Sequence, residues 1–149
     1  MDSRGMTLME LIVVLAVASI IIATAGSIIL SSYRIFGSIA QTNHDKLVGD
    51  SVYEFICDKI IFTYFLEIVN SQKIVLDDEK VLETSDGRLV FDGKDVYSSD
   101  FYDGMSLSMN IERYGSDGVK LHISVMRGEK QSYSTGSVVR LLNFGFPDE

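Results

Sequence analysis

The sequence has almost none of the residues that cross-link a chain or break a helix. Its single cysteine, Cys57, cannot form an intrachain disulfide, and with only two distant histidines it cannot complete a zinc site. Its single proline, Pro147, lies close to the end. Because proline is the strongest helix breaker, long helices are permitted over nearly the whole chain. A folded domain here must be stabilised by core packing alone.

Basic residues are also scarce. The chain has 13 Lys and Arg against 21 Asp and Glu, a formal net charge of −8. Nucleic-acid binding needs a basic face, and electrostatic attachment to an anionic membrane needs a cluster of Lys or Arg. No segment has such a cluster, so the sequence predicts no direct contact with nucleic acid.

Charge is absent altogether from Leu11 to Tyr33, where the chain reads LIVVLAVASIIIATAGSIILSSY. A helix of this length spans about 34 Å at about 1.5 Å per residue, and the hydrocarbon core of a bilayer is about 30 Å thick. The run therefore predicts one transmembrane helix, and the lipid bilayer is an expected partner.

Two other interpretations of this run stay open. A cleaved secretory signal has a basic start and a shorter apolar stretch, although Ala23, Ala25 and Gly26 would offer small residues for cleavage. An uncleaved signal anchor would have a similar run. The acidic residue Glu10 at the start of the run helps to distinguish these interpretations.

Glu10 follows Gly5 after four intervening residues and precedes the uninterrupted apolar run. An ionised carboxylate near a helix end in lipid costs on the order of a few kcal/mol unless it is paired. Glu10 either marks the membrane boundary or finds a cation on another copy of the same segment.

The segment GMTLMELIVVLAV, residues 5–17, resembles the class III signal of type IV prepilins and pseudopilins. The resemblance implies that prepilin peptidase cleaves between Gly5 and Met6 and methylates the new N-terminus at Met6. Glu10 then becomes the fifth mature residue, where this family carries a glutamate. Most members have Phe at the first mature position, so Met6 departs from the usual pattern.

The resemblance further implies that Glu10 of one subunit faces the N-terminal amino group of its neighbour. Such a pair would set register, because docking at another height leaves Glu10 unsatisfied in a low dielectric. The implied partners are other pilin or pseudopilin subunits, prepilin peptidase and the filament assembly platform in the membrane. The implied location is a bacterial membrane with a single pass before assembly, and then a filament outside the cell surface.

After Tyr33 the sequence remains compatible with a helix to about Asn70. Gly26 and Gly37 are candidate positions for a kink, because glycine is a weak helix former. The block IIFTYFLEIV, residues 60–69, is apolar on every side and fits either a covered helix or a strand. Apolar positions recur three and four residues apart and predict an amphipathic face: Val48, Val52, Phe55, Ile56, Lys59 (its stem), Ile60 and Tyr64.

From Lys73 onward, short strands alternate with turns. Apolar residues alternate with polar ones in 107–111 and in 121–125, and the turn GSDG at 115–118 joins them, which predicts an antiparallel hairpin. The stretch VVRLLNFGF, residues 138–146, is predicted to supply a last strand.

These patterns predict an α+β fold of the pilin type, in which a long N-terminal helix, transmembrane in its first half, packs on a C-terminal antiparallel sheet. The predicted organisation is a leader peptide at 1–5, a transmembrane and filament-core helix at 6–33, its amphipathic second half at 34–70 and a sheet domain at 71–149.

No catalytic arrangement is recognisable in the C-terminal half, so the chain is not predicted to be an enzyme or to need a cofactor. The carboxylates near Asp77 and Asp92 lack EF-hand spacing, and no metal site is predicted there. His44 and His122 are expected at the surface and Cys57 in the core. The aromatic residues Tyr97, Phe101 and Tyr102 are expected to pack over the sheet, or else to contact a neighbour or a ligand.

The sequence therefore predicts a structural subunit, a minor pilin or pseudopilin, of a filament that serves pilus function, DNA uptake or protein secretion. The missing disulfide pair favours a minor pilin or pseudopilin over a disulfide-looped major pilin. One alternative is a binding module or adhesin at a filament tip. Others are a signal-anchored membrane protein unrelated to pili and a membrane-anchored enzyme.

Overall fold

The computed structural model describes residues 8–142 of the 149-residue chain. A long helix, α1 (Leu8–Ile61), is followed by two antiparallel sheets. The chain divides into two compact units, residues 1–41 and residues 42–149. The part of α1 from Thr42 onward therefore belongs to the same unit as the sheets, and the predicted α+β class is confirmed.

The sheet predicted as one is two. The first has five short strands in sequential order, and the second has three longer ones; both are antiparallel throughout. A four-residue helix, α2 (Ser99–Tyr102), connects them. The strands are β1 (Glu67–Asn70), β2 (Lys73–Val75), β3 (Val81–Ser85), β4 (Arg88–Phe91), β5 (Lys94–Asp95), β6 (Ser106–Tyr114), β7 (Gly118–Arg127) and β8 (Lys130–Arg140).

The hairpin predicted around GSDG is confirmed as β6 and β7. Ile111 lies opposite Leu121, both are buried, and Tyr114 pairs with Gly118 across the turn. The predicted last strand is shifted toward the N-terminus, because β8 begins at Lys130 and ends at Arg140. Residues 143–146 of that prediction lie outside the described residues.

Gly87 joins the two sheets at close range. Its φ of +72° favours glycine, and a Cβ there would lie 2.6 Å from the Cβ of Ser106 on β6. The N–H of Leu107 donates to the carbonyl of Gly87 at 2.8 Å. The β3–β4 turn can approach β6 this closely only because Gly87 has no side chain.

One stripe of α1 forms the centre of the core. Val48, Val52, Ile56 and Ile60 recur every four residues and are fully buried. They pack with the inward residues of both sheets, such as Leu121 on β7. The amphipathic face predicted for this part of the helix is therefore present, with Phe55 half-buried and Lys59 exposed at its edge.

The helix ends at Ile61, well before the predicted end near Asn70. The carboxylate of Asp77 accepts the N–H groups of Tyr64 at 2.9 Å and of Phe65 at 2.6 Å. The hydroxyl of Thr63 donates to the carbonyl of Phe65 at 2.7 Å. These bonds satisfy the backbone in a loop conformation, which we call the α1–β1 loop (residues 62–66).

Two further expectations change with this early end. The segment Glu67–Asn70 pairs with β2 as a strand, so the sheet region begins at 67 and not at 71. Tyr64 was expected on the apolar face of the helix, but it lies in the loop with 70% of its surface exposed. The strand alternative for the end of the block 60–69 is the one observed.

Polar contacts fix α1 against the second sheet. Asp45 is 3% exposed, and its carboxylate accepts a bond from Nη2 of Arg127 at 2.9 Å. The same guanidinium nitrogen lies 3.5 Å from the carboxylate of Asp103. One helical turn further along, the hydroxyl of Tyr133 donates to Asp50 at 2.7 Å. A buried carboxylate such as that of Asp45 would be costly without its cation.

At Gly49 the backbone of α1 approaches the second sheet closely. A Cβ at Gly49 would lie 2.5 Å from Cδ1 of Tyr133 and 3.1 Å from a methyl group of Val125. The Tyr133 ring cannot simply swing away, because its hydroxyl is bonded to Asp50.

The substitution Gly49→Ala is therefore expected to destabilise the sheet unit. Overpacking typically costs about 1–3 kcal/mol, which exceeds the gain of up to about 1 kcal/mol in helix propensity. The measurement is denaturant unfolding of the full chain in detergent, followed by tyrosine fluorescence because the sequence has no tryptophan. The control is Gly37→Ala, where nothing lies within 4 Å of the added Cβ and the midpoint should not fall. An equal effect of the two substitutions would contradict the packing argument.

The substitution Asp77→Asn should weaken the fold in a pH-dependent way. Burial opposes ionisation of Asp77, but the bonds from Tyr64, Phe65 and Thr63 lower its pKa below the ordinary value. A lowered pKa contributes stability above the unfolded-state pKa of about 3.9, and this stability is lost as the pH falls through the folded-state value.

The difference between wild type and Asp77→Asn should thus be about 1 kcal/mol near neutral pH and should vanish well below pH ~4. Unfolding midpoints measured across pH provide the test. Asp92→Asn is the matched control, because Asp92 is exposed in a turn. A pH-independent difference would show that the carboxylate bonds are not its cause.

Candidate membrane and assembly site in the N-terminal helix

The first part of α1 has no covering layer within its own compact unit. From Leu8 to Asn43 every residue is exposed except Ala18, Gly26 and Ser32, which are half-buried. Large aliphatic side chains such as Ile20 and Ile22 are among those exposed. Soluble monomers rarely present so large an apolar surface, so this segment needs an apolar environment from outside.

That environment can be a bilayer. Among the described residues, α1 is the one helix that is long and apolar enough to cross a membrane, judged by length and composition. This agrees with the transmembrane helix predicted from the charge-free run.

The hydroxyl groups in this segment are satisfied by the helix itself. Ser19 donates to the carbonyl of Leu15 at 2.7 Å, and Thr24 to that of Ile20 at 3.0 Å. Ser27 and Ser32 donate in the same way to carbonyls three and four residues back. Because no water is available in hydrocarbon, such internal bonds make these polar side chains compatible with a membrane interior.

Glu10 lies in the first turn of α1 and is exposed. Met9, Val13 and Val14 line a shallow groove of about 270 Å³ with it. The carboxylate is the only charged group between Leu8 and Tyr33. Its position is electrostatically favourable, because the N-terminal end of a helix carries a partial positive charge. The site thus combines one carboxylate with an apolar surface.

Gly5 and Met6, the predicted cleavage and methylation positions, lie outside the described residues. Cleavage between them, methylation of Met6 and the inter-subunit role of Glu10 therefore stay predictions. The helix assignment continues without a break through the candidate kink positions Gly26 and Gly37.

The acidic residues near Asp77 and Asp92 are engaged in other contacts or dispersed. Asp77 holds the α1–β1 loop, and Asp95 lies 3.4 Å from Arg88 as an ion pair. Across residues 8–142 as described, no group of three or more His, Cys, Asp or Glu side chains has a metal-binding arrangement.

The two histidines differ. His122 is exposed, as expected, whereas His44 is only partly at the surface. His44 is half-buried, and its Nδ1 atom is buried with no hydrogen-bond partner within the described part of the chain. Cys57 is half-buried and packs against the core, which is close to its predicted role.

The aromatic residues after β5 pack together over the sheet, as predicted. The rings of Tyr97 and Phe101 stack with centroids 4.1 Å apart. Tyr102 is buried, and its hydroxyl accepts the N–H of Leu89 at 3.1 Å. This cluster is part of the core.

A different aromatic group is exposed, and it was not predicted from the sequence. Phe62, Tyr64 and Phe65 of the α1–β1 loop are 63%, 70% and 39% exposed. They belong to the block that is apolar on every side, where periodicity does not distinguish inward from outward positions. In the structure, the bonds from Tyr64 and Phe65 to Asp77 hold this part of the chain in a loop after the helix has ended.

Comparisons with known proteins bear on the N-terminal segment. Residues 1–26 match the family model described as the prokaryotic N-terminal methylation motif. Searches of curated proteins and of solved structures gave no match. The match covers the resemblance quoted for residues 5–17 and continues into the apolar helix. The match supports a prepilin-type N-terminal segment, and the α+β fold is of the kind that the resemblance to type IV pilins and pseudopilins implies.

Proposed function

We propose that the protein is a structural subunit, a minor pilin or pseudopilin, of a type IV pilus-like filament. Prepilin peptidase cleaves it between Gly5 and Met6 and methylates Met6. The subunit is first a single-pass membrane protein. It is then incorporated into a filament through contacts of its N-terminal helix. The assembly platform in the membrane and other pilin-type subunits are its partners.

One observation carries this proposal. From Leu8 to Tyr33 the helix is apolar and largely exposed, and Glu10 is the only charged side chain in that segment. A membrane anchor needs the apolar surface but not the carboxylate, whose cost in lipid, a few kcal/mol, exceeds the gain of about 1 kcal/mol or less from the helix dipole. An assembly helix uses both, because the carboxylate can be matched by a cation on a neighbour.

The matching cation is the α-amino group that cleavage after Gly5 exposes. In a low dielectric an unpaired charge is far more costly than a close pair. A neighbour docked one helical turn too high or too low would leave both groups unpaired. The apolar surface then supplies affinity without direction, and the charge pair selects the register.

The sheet unit supports a structural role. Its buried aromatic residues and its carboxylates are used for packing and for turns, as Tyr102 and Asp77 illustrate. The filament could serve pilus function, DNA uptake or protein secretion, and the proposal is common to all three.

The first prediction concerns processing. In the native host, mass spectrometry of the protein should show loss of residues 1–5 and the added mass of one methyl group at Met6. A strain without prepilin peptidase should retain the full leader, because the cleavage depends on that enzyme. Cleavage near Ala25, or an intact Met1 in the wild-type strain, would refute the processing step.

The second prediction concerns assembly. Glu10→Val should leave processing largely intact but reduce incorporation into filaments by about tenfold or more, because the amino group of the neighbour loses its partner in a low dielectric. The measurement is the amount of this subunit in sheared filament fractions relative to the membrane fraction.

Glu54→Val is the matched control, since Glu54 is an exposed glutamate on the same helix but within the sheet unit. This variant should assemble at the wild-type level. Normal assembly of Glu10→Val would remove the register argument, while failure of both variants would indicate a general loss of helix function.

A further inference from the structure

The α1–β1 loop presents aromatic side chains on a backbone that is fixed from beneath. Leu66 is fully buried and Thr63 is 3% exposed, so these two residues anchor the loop in the core. The Asp77 carboxylate holds the N–H groups of Tyr64 and Phe65. The rings of these two residues are thus directed outward by a constrained backbone.

Beside these rings lies a groove of about 740 Å³, which we call the loop groove. Exposed aromatic side chains on a rigid support are the usual anchors of protein–protein contacts, because little conformational entropy is lost when they are covered. The loop groove is lined by Tyr64, Phe65, Glu67, Val75, Leu76, Asp77 and Glu79.

The charged residues that line the loop groove are all acidic. Three carboxylates line it, and none of its lining residues is a Lys, Arg or His. Asp77 is committed to the loop backbone, whereas Glu67 and Glu79 are exposed. Aromatic faces also attract cations. The chain contains an example of this preference, since Nζ of Lys59 lies 5.3 Å from the centre of the Phe55 ring.

The overall charge argues against a second copy of this chain as the occupant. Residues 1–41 contain two acidic and two basic residues, so the whole net charge of −8 belongs to residues 42–149. Two such units would repel each other at an acidic contact. A segment with a positive charge from another protein would be attracted to the same place.

We propose that the loop groove binds a segment of a different protein, in which a Lys or Arg stands next to an apolar residue. The apolar residue packs on Tyr64 and Phe65, and the cation meets Glu67 and Glu79. This contact does not depend on Gly5, Met6 or Glu10, and it would make the sheet unit a docking module for a second kind of protein.

The test is site-specific crosslinking of the full chain in the native host. The photoreactive residue p-benzoylphenylalanine replaces Tyr64, and the adduct is analysed by peptide mass spectrometry. The expected adduct joins a different protein through a peptide that carries Lys or Arg beside an apolar residue. The same probe at Tyr114, which is 55% exposed at the end of β6, is the matched control and should not give this adduct.

Charge reversal makes the test specific. In the presence of the probe at Tyr64, the double change Glu67→Lys and Glu79→Lys should reduce the adduct by about tenfold or more, because two attractive contacts become repulsive. Any adduct formed from Tyr114 should be unaffected. If the reversed variant fails to fold, as judged by circular dichroism, Glu67→Gln with Glu79→Gln replaces it and should give a smaller reduction.

Several outcomes would overturn the proposal: an adduct with a second copy, with lipid or within the chain itself, or an adduct insensitive to both charge variants. The lack of any adduct from Tyr64 and from a second probe position, Phe65, would do the same. Processing and filament incorporation of the probe-bearing chain are measured in the same cells. A defect in processing or in filament incorporation would contradict the proposed function. The crosslinked adduct tests only the proposal for the loop groove.

Discussion

A single helix in this protein has to satisfy two different environments, and the rest of the structure follows from how it does so. From Leu8 to Asn43 none of its residues is buried. After Thr42 only one stripe is buried, centred on Val48, Val52, Ile56 and Ile60. As far as Tyr33, where the charge-free run ends, the first arrangement suits a surrounding that is apolar on every side. The second suits a sheet on one side and water on the other.

The junction between the helix and the sheets is specified by polar contacts more than by apolar ones. The stripe at four-residue spacing would tolerate sliding along the sheet, because aliphatic side chains attract without direction. The bond between Asp45 and Arg127 and the bond between Asp50 and Tyr133 define one position. Gly49 lies between these two carboxylates along the helix, where the Tyr133 ring approaches the backbone. The close packing at Gly49 and the polar bonds of Asp45 and Asp50 therefore favour the same alignment of α1 on the second sheet.

The sequence predicts the structure correctly where a residue pattern fits only one type of secondary structure. The charge-free run predicted the exposed apolar helix, and strict alternation predicted the β6–β7 hairpin down to its turn. The prediction failed in the block 60–69, where apolar residues would fall on every side of a helix and both periods fit. The end of α1 is decided there by Asp77, thirteen residues beyond Tyr64 in the chain. Asp77 stands in the acidic run DDE, and no local signal distinguishes it from its neighbours.

The ion pair between Asp45 and Arg127 could not be predicted from the sequence either. Asp45 and Arg127 are separated by 82 positions, and each occurs in a polar context of its own. Only the fold brings them together. The N-terminal motif is the opposite case. It can be recognised from the sequence alone, because its residues are consecutive.

The internally bonded hydroxyls of the first helix have an energetic consequence. Since Ser19, Thr24, Ser27 and Ser32 donate to carbonyls of their own helix, exchanging lipid for other apolar helices breaks none of these bonds. The exchange replaces one set of dispersion contacts with another of similar strength. The free-energy difference between the two surroundings is then concentrated in one carboxylate, that of Glu10. If the helix exchanges lipid for neighbouring apolar helices, as we propose, the cost of the exchange depends mainly on whether the Glu10 carboxylate is satisfied in both places.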